Sequence, residues 1–250
     1  MLAAKCTLLL LGFGGLTAFG AEGGALRAGA ARVDITPPAD EALPMAGYAG
    51  RAPSKGVHDH IYVRAIVLDN GAIQSALVAW DLIFVPNEVW SEVSGRIAKE
   101  IGIPSEHLLL SAVHDHGAPS LGSGGDAVAT GPKTAAFTAK VEDAALEAVR
   151  RAKANLQPAR FGIGTGTAYV NINRREWTPD HGWWLGYNPD GPSDKTVAVL
   201  KFEDLSGKPI AFFINYAVHG TSWDLTITRS PAIYPVRPRD MSSNSFTIGP

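Results

Sequence analysis

The sequence predicts an α/β fold in which flanking helices cover a mixed β-sheet, and three observations support this prediction. Short apolar, β-prone runs alternate along the chain with two longer segments of helical periodicity. The dipeptide Asn70-Gly71 between two of these runs indicates a hairpin, so part of the sheet is antiparallel. Two other runs end in histidine, and α/β sheets commonly bind ligands where their strands end. We therefore expect a functional site at the ends of strands.

Local signals define the individual elements. Asn-Gly accepts the positive φ angles of a type I′ turn, Asn87 is a candidate N-cap, and Gly102 marks the end of the first helix. The glycine-rich segment at residues 117–132 is expected to form a loop. The second helix carries one apolar face, formed by Phe137, Val141, Ala144, Ala145, Ala148 and Val149. In chain order, the predicted elements are strands at residues 61–68 and 72–80, a helix at 87–100, a strand at 107–113, a helix at 134–155, and strands at 159–169, 196–202 and 209–218.

The chain divides into three predicted regions. Residues 1–20 combine an early lysine, an apolar stretch and small residues at the end, which is typical of a secretory signal peptide. This pattern predicts a secreted or periplasmic protein, and an unprocessed buried helix is the alternative. Residues 21–224 form the predicted α/β domain. Residues 225–250 are rich in Pro, Arg and Ser without hydrophobic periodicity, so we expect an irregular or disordered tail.

Composition excludes several classes of function. The formal net charge is -2 and 18% of the residues are charged, without a block of like charge, so no nucleic-acid partner is predicted. The single cysteine, Cys6, lies in the predicted leader. The remaining chain therefore has neither a disulfide nor thiolate chemistry, and a metal site must use His, Asp, Glu or Tyr. The sequence makes no prediction of oligomeric state.

Two histidines follow the apolar run that starts at Leu108. If this run is a strand that continues through them, alternation places His114 and His116 on one face and Asp115 on the other. Neutral imidazole is a common zinc ligand, so the pair predicts a metal site, although capping of the strand end in a polar loop is the alternative. A second run ends at His219, which joins the site if the ends of the two strands converge.

A series of motifs resembles the neutral (non-lysosomal) ceramidases. The resemblance depends on their joint order between residues 28 and 224 rather than on any single motif. The motifs are Val33-Asp34-Ile35-Thr36-Pro37-Pro38, Met45-Ala46-Gly47-Tyr48, Ser111-Ala112-Val113-His114-Asp115-His116-Gly117-Ala118-Pro119, Asn171-Ile172-Asn173-Arg174-Arg175, Asp194-Lys195-Thr196 and Ala217-Val218-His219-Gly220-Thr221-Ser222.

The resemblance implies a secreted, zinc-dependent amidase that hydrolyses the N-acyl bond of ceramide or a related lipid amide. It implies that His114 and His219 bind Zn²⁺, whereas His116 and Arg174 contact the substrate at the reacting carbonyl. The implied partner is a lipid amide, with room for peripheral contact with a membrane surface.

Three assignments keep an alternative when they are argued from the residues alone. Arg174 either acts in catalysis or forms a surface ion pair with Glu176 or Asp180. Asp81, at the end of an apolar run, either orients a ligand imidazole or caps the next turn. A group of aromatic residues either grips a lipid or sugar or packs its own loop, and this group consists of Trp177, Trp183, Trp184 and Tyr187.

Two further zinc ligands of the ceramidase family, a glutamate and a tyrosine, find no counterpart in this sequence, and neither does the family's Gly-Asp-x-Ser-Pro segment. Zinc in catalytic centres normally has three protein ligands and an open position for water. We therefore expect a weak two-histidine site. The alternative function is that of a catalytically incomplete family member that binds a ligand or a partner without turnover.

Overall fold

The computed structural model describes residues 25–48, 52–122 and 131–219. Within these ranges the chain forms a mixed β-sheet with flanking helices, which confirms the predicted fold class. The predicted leader at residues 1–20 and tail at residues 225–250 lie outside the described residues, and so does part of the predicted glycine-rich loop. No helix in the described ranges is both long enough and apolar enough to cross a membrane.

Nine strands lie within the described residues. They are β1 (Arg27–Asp34), β2 (Tyr62–Asp69), β3 (Gln74–Trp80), β4 (Leu108–Ala112), β5 (Gln157–Thr167), β6 (Asn173–Thr178), β7 (Gly182–Asn188), β8 (Thr196–Asp204) and β9 (Pro209–Tyr216). Seven of them form one sheet in the order β4-β3-β2-β1-β5-β8-β9, while β6 and β7 form a separate hairpin. In the seven-stranded sheet, β3 and β4 are parallel and the other neighbouring strands are antiparallel.

The main core lies between the sheet and the two helices, α1 (Asn87–Ile101) and α2 (Pro132–Ala154). Every residue of the predicted apolar face of α2 is buried, which confirms that face. Side chains of β2 alternate across the sheet, so that Val63, Ala65 and Val67 pack in this core while Ile66 packs in a second cluster. Both faces of β2 are therefore covered, which explains its nearly continuous apolar sequence.

The second cluster shows that the sheet curls. It joins Phe202 of β8 and Ile210 of β9 to Ala28 of β1. In the sheet order β5 and β8 lie between β1 and β9, yet β1 and β9 are in contact. The sheet therefore bends strongly across β5 and β8, beyond the ordinary twist of neighbouring strands.

The turn between β2 and β3 differs from the prediction. Asp69 pairs with Gln74 across the hairpin, so the loop has four residues instead of the two of a type I′ turn. The Asn70 side-chain oxygen accepts hydrogen bonds from the backbone N–H groups of Ala72 and Ile73 at 3.0 and 2.8 Å. The asparagine thus supports the turn through its side chain, and only Gly71 has a positive φ, of +86°.

The start of helix α1 differs from the prediction, whereas its end agrees with it. Its N-cap is Pro86, without a side-chain cap hydrogen bond, so the predicted cap at Asn87 is wrong. At its other end Gly102 adopts the left-handed conformation with a φ of +79°, which confirms the predicted stop.

Two parts of the sheet framework were not predicted. β1 is rich in small and charged residues and forms a strand because it lies between β2 and β5, where tertiary context overrides local propensity. The sequence of the β6–β7 hairpin resembles that of a loop. Most of its aromatic side chains face solvent, so its sequence lacks the alternation of apolar and polar residues that marks a half-buried strand.

Candidate metal centre

The segment after β4 brings two histidines together without being a strand. β4 ends at Ala112, and His114 has a φ of +64°, in the left-handed region that residues with a Cβ rarely adopt. Asp115 is buried, and its carboxylate accepts a hydrogen bond of 2.6 Å from the backbone N–H of Gly117. The predicted strand alternation is therefore wrong here, although the imidazoles of His114 and His116 do meet.

The third histidine comes from the opposite edge of the sheet. β4 and β9 are the two edge strands, and His219 follows the end of β9 by three residues. The two histidine-bearing strands are thus not neighbours in the sheet. Their ends converge because the sheet curls, and this places the His219 Nε2 atom 2.9 Å from that of His114.

The three imidazoles form a compact group that we call the histidine cluster (His114, His116 and His219). The Nε2 atoms lie 2.9 to 3.1 Å from one another. Each pair of rings has a centroid separation of 4.7 Å, with interplanar angles between 64° and 85°. All three rings therefore present the same nitrogen to one point.

The surroundings of His114 fix which of its nitrogens is available. Its Nδ1 lies 2.9 Å from the carbonyl oxygen of Ile83, and because a carbonyl only accepts, Nδ1 carries the proton. The Nε2 lone pair of neutral His114 then faces the cluster. A second partner of this kind, which sets tautomer and ring orientation, is typical of metal-binding histidines.

The charge state of His219 also suits a metal ligand. Although the side chain of His219 is exposed on one side, partial desolvation, the neighbouring His114 and the positive charge of Arg174 all lower the pKa of His219 from its ordinary value. A lowered pKa favours neutral imidazole, which is the form that binds metals.

The donor set of the histidine cluster fits Zn²⁺. Two nitrogens that are each about 2.0–2.1 Å from one tetrahedral zinc ion are about 3.3 Å apart, close to the observed separations of 2.9 to 3.1 Å. The cluster can therefore hold a metal ion. His116 is as near to the shared point as the other two, so the division of roles among the three stays a prediction.

Arg174 lies close enough to the cluster for its charge to act on His219. It belongs to β6, and its Nε donates a hydrogen bond to the carbonyl of Gly186 in β7. Among the described residues, no ion pair joins Arg174 to Glu176 or Asp180. The surface ion-pair interpretation is thus wrong, whereas a catalytic role for Arg174 stays a prediction.

Asp81 does not orient an imidazole. One carboxylate oxygen pairs with the Arg64 guanidinium at 2.5 Å, and the other accepts a hydrogen bond of 2.9 Å from the backbone N–H of Tyr62. Asp81 therefore ties the end of β3 to the start of β2. The orienting partner of His114 is instead a backbone carbonyl, which no pattern of side chains in the sequence could reveal.

A buried polar network at Asn171 holds the segment that leads to His219. The Asn171 Nδ2 group donates to the carbonyl oxygens of Asp194 and Ala217 at 2.5 and 2.6 Å. The Lys195 ammonium donates to the side-chain oxygen of Asn171 at 2.8 Å. The backbone N–H of Asn171 donates to the Tyr216 hydroxyl at 3.2 Å. The motifs around Asn171 and Lys195 were visible in the sequence, but their structural role was not.

Taken together, the curled sheet and the histidine cluster define an α/β protein with a group of imidazoles that could hold a metal ion. The sequence profile described as "Neutral/alkaline non-lysosomal ceramidase, N-terminal" matches residues 26–229. The chain belongs to this family, which confirms the resemblance seen in its motifs.

Individual relatives agree with this membership. The chain is 31% identical over 211 residues to the neutral ceramidase of Pseudomonas aeruginosa, which covers 78% of this chain and 30% of that protein. It is 29% identical over 210 residues to neutral ceramidase A of Dictyostelium discoideum, covering 77% and 28%. The crystal structure of the Pseudomonas aeruginosa neutral ceramidase superposes with a TM-score of 0.66 and 26% identity, covering 82% of this chain and 34% of that one. This chain thus spans about a third of the length of the relatives it matches.

Proposed function

We propose that this chain is a zinc-dependent amidohydrolase that cleaves the N-acyl bond of ceramide or a related lipid amide. The observation that carries the proposal is the convergence of three imidazole Nε2 atoms within 3.1 Å of one another. Membership in the neutral ceramidase family supports the reaction and the class of substrate.

The proposed roles are those that the family resemblance implies, since the geometry places the three imidazoles alike. His114 and His219 hold the ion. Zinc bound there would polarise the amide carbonyl and activate water near neutral pH. His116 would contact the substrate at the reacting carbonyl and move a proton from the attacking water to the leaving amine.

Arg174 is proposed to supply a positive charge beside the reacting carbonyl of the substrate. A guanidinium group stays protonated at any working pH, so it stabilises the negative charge that develops on the amide oxygen. The hydrogen bond from its Nε to Gly186 leaves the terminal nitrogens of Arg174 to reach the substrate. The hairpin that carries Arg174 therefore forms one wall of the proposed active site.

The same hairpin supports a lipid as the substrate. Its aromatic side chains are exposed rather than packed against the loop, with Trp183 at 67% and Tyr187 at 64% of full exposure. Aromatic rings with a polar edge favour the boundary between membrane and water. We propose that this surface meets lipid at a membrane, and that the signal-like residues 1–20 direct the protein out of the cytoplasm.

The test measures zinc content and ceramide hydrolysis on the same samples, with a chelator-treated control. Arg174→Ala is expected to keep zinc and to lose activity about 10²–10³-fold, as for removal of an oxyanion donor. His116→Ala is expected to lose activity about 10²–10⁴-fold. Arg175→Ala is the matched control, because Arg175 is the neighbouring arginine on β6 and is exposed like Arg174.

Three outcomes would contradict parts of this proposal. Loss of zinc from His116→Ala would make His116 a ligand rather than a proton donor. Turnover that survives complete removal of metal would exclude zinc dependence. Full zinc occupancy without turnover of any lipid amide would favour the alternative of a family member that binds without catalysis.

A further inference from the structure

A short strap, residues 43–48, runs beside the histidine cluster. Backbone hydrogen bonds join it to the segment that follows His116: the N–H of Ala46 donates to the carbonyl of Ala118 at 3.0 Å, and the N–H of Ser120 donates to the carbonyl of Pro44 at 2.9 Å. The strap is also buried on part of its length. Its backbone therefore has little freedom to move away from the cluster.

Gly47 in the strap lies directly against the His116 imidazole. A Cβ added to Gly47 would lie 2.5 Å from Nδ1, 2.8 Å from Cγ and 3.1 Å from the Cα of His116. Real Cβ atoms essentially never come within 3.0 Å of another heavy atom, and the nearby Cα means that ring rotation alone does not relieve the contact. Gly47 also has a φ of +91°, which itself favours glycine.

We propose that Gly47 is a positioning residue for His116. The missing Cβ lets the imidazole approach the strap far enough for its Nε2 to lie 3.1 Å from those of His114 and His219. A side chain at this position would push the His116 ring away from that point. The consequence for metal and catalysis rests on the proposed function, whereas the position of the ring does not.

The first experiment follows the imidazole signals of His116 by ¹⁵N NMR in the metal-free full chain. Gly47→Ala is expected to shift these signals, because the new methyl group displaces the ring. Gly102→Ala is the matched control: Gly102 has a similar φ of +79°, but a Cβ there meets nothing within 4 Å. Unchanged His116 signals in Gly47→Ala would overturn the inference.

The second experiment is a double-mutant cycle read as the urea midpoint of unfolding. Gly47→Ala is expected to lower the midpoint more than Gly102→Ala, because it adds a clash to the same backbone strain. In a His116→Ala background, most of the excess loss is expected to disappear, since the two contacts shorter than 3.0 Å are with the imidazole and only the 3.1 Å contact with the Cα remains. An excess loss that persists without the imidazole would show that Gly47 acts on the strap alone and would refute its role in positioning His116.

Zinc content and ceramide hydrolysis, measured on the same samples, separate this inference from the proposed function. Wild-type chain is expected to bind zinc and hydrolyse ceramide, and Gly47→Ala to bind zinc equally well but to lose activity, up to the loss of about 10²–10⁴-fold expected for His116→Ala. Unchanged turnover in Gly47→Ala would overturn the functional consequence of the inference. Failure of the wild type to bind zinc would instead refute the proposed function, while the NMR and unfolding measurements still decide the role of Gly47.

Discussion

Replacing Asn171 with alanine tests whether the buried polar network holds the His219 segment. The side chain of Asn171 makes three hydrogen bonds, two to the carbonyls of Asp194 and Ala217 and one from Lys195. Asn171 is 7% exposed, so water cannot easily replace these partners. At about 1 kcal/mol for each hydrogen bond, and somewhat more where a charged group takes part, the free energy of unfolding falls by about 3 kcal/mol.

Asn173→Ala provides the control for this prediction. Asn173 lies two residues further along and makes comparable hydrogen bonds, to the Pro192 carbonyl at 2.8 Å and from the Arg175 N–H at 2.8 Å, but these bonds are exposed. Solvent can take over such bonds, so we expect a loss of less than about 1 kcal/mol.

Urea denaturation of the two variants measures the difference in their free energies of unfolding. The midpoints can be compared if the dependence of the free energy of unfolding on urea concentration is the same for both variants. Because the Ala217 carbonyl is two residues from His219, Asn171→Ala is also expected to weaken zinc binding by about tenfold. Equal stability of Asn171→Ala and Asn173→Ala would refute the argument that the buried network holds the segment. A lower stability with unaltered zinc affinity would restrict its role to the fold.

Two further predictions address the ion pair and the metal. Asp81→Ala breaks the contact with Arg64, whose side chain is 15% exposed, and is expected to lower the free energy of unfolding by about 2 kcal/mol, less than for a fully buried pair. Its zinc affinity should match the wild type, and a selective loss of zinc would return Asp81 to a role in the metal centre. When the protein is equilibrated with free zinc at about 100 times its Kd, removal of the zinc with a chelator is expected to lower the free energy of unfolding by about 2.7 kcal/mol. For a domain of this size, this corresponds to a fall of about 5–10 °C in Tm. An unchanged Tm in calorimetry would show that zinc does not bind the folded chain.

Periodicity and turn chemistry predicted most of the framework. The apolar face of α2 and the glycine that ends α1 were correct because each follows from a local rule. β1 escaped prediction because its residues become a strand only through pairing on both sides. The turn after β2 was placed correctly but given the wrong type, because hydrogen bonds from the backbone N–H groups of Ala72 and Ile73 to the Asn70 side chain stabilise a longer turn.

The candidate site was predicted through its residues more than through its geometry. His114, His116 and His219 stand out because histidines follow apolar runs, and the structure brings all three together. The argument from strand alternation failed because His114 leaves the strand conformation at a positive φ. Gly47 and Asn171 lay within recognised motifs, but their importance depends on contacts with residues far away in sequence.

The meeting of the two sheet edges has a consequence for the order of assembly. His114 and His219 are 105 residues apart in sequence, and five other strands lie between the strands that deliver them. Contacts of such long separation form late, because the entropy of closing the intervening chain must first be offset by the packing of the elements between. A chain in which β9 has not yet joined the sheet has only the His114 and His116 part of the histidine cluster. Uptake of the proposed zinc ion would therefore complete folding rather than nucleate it.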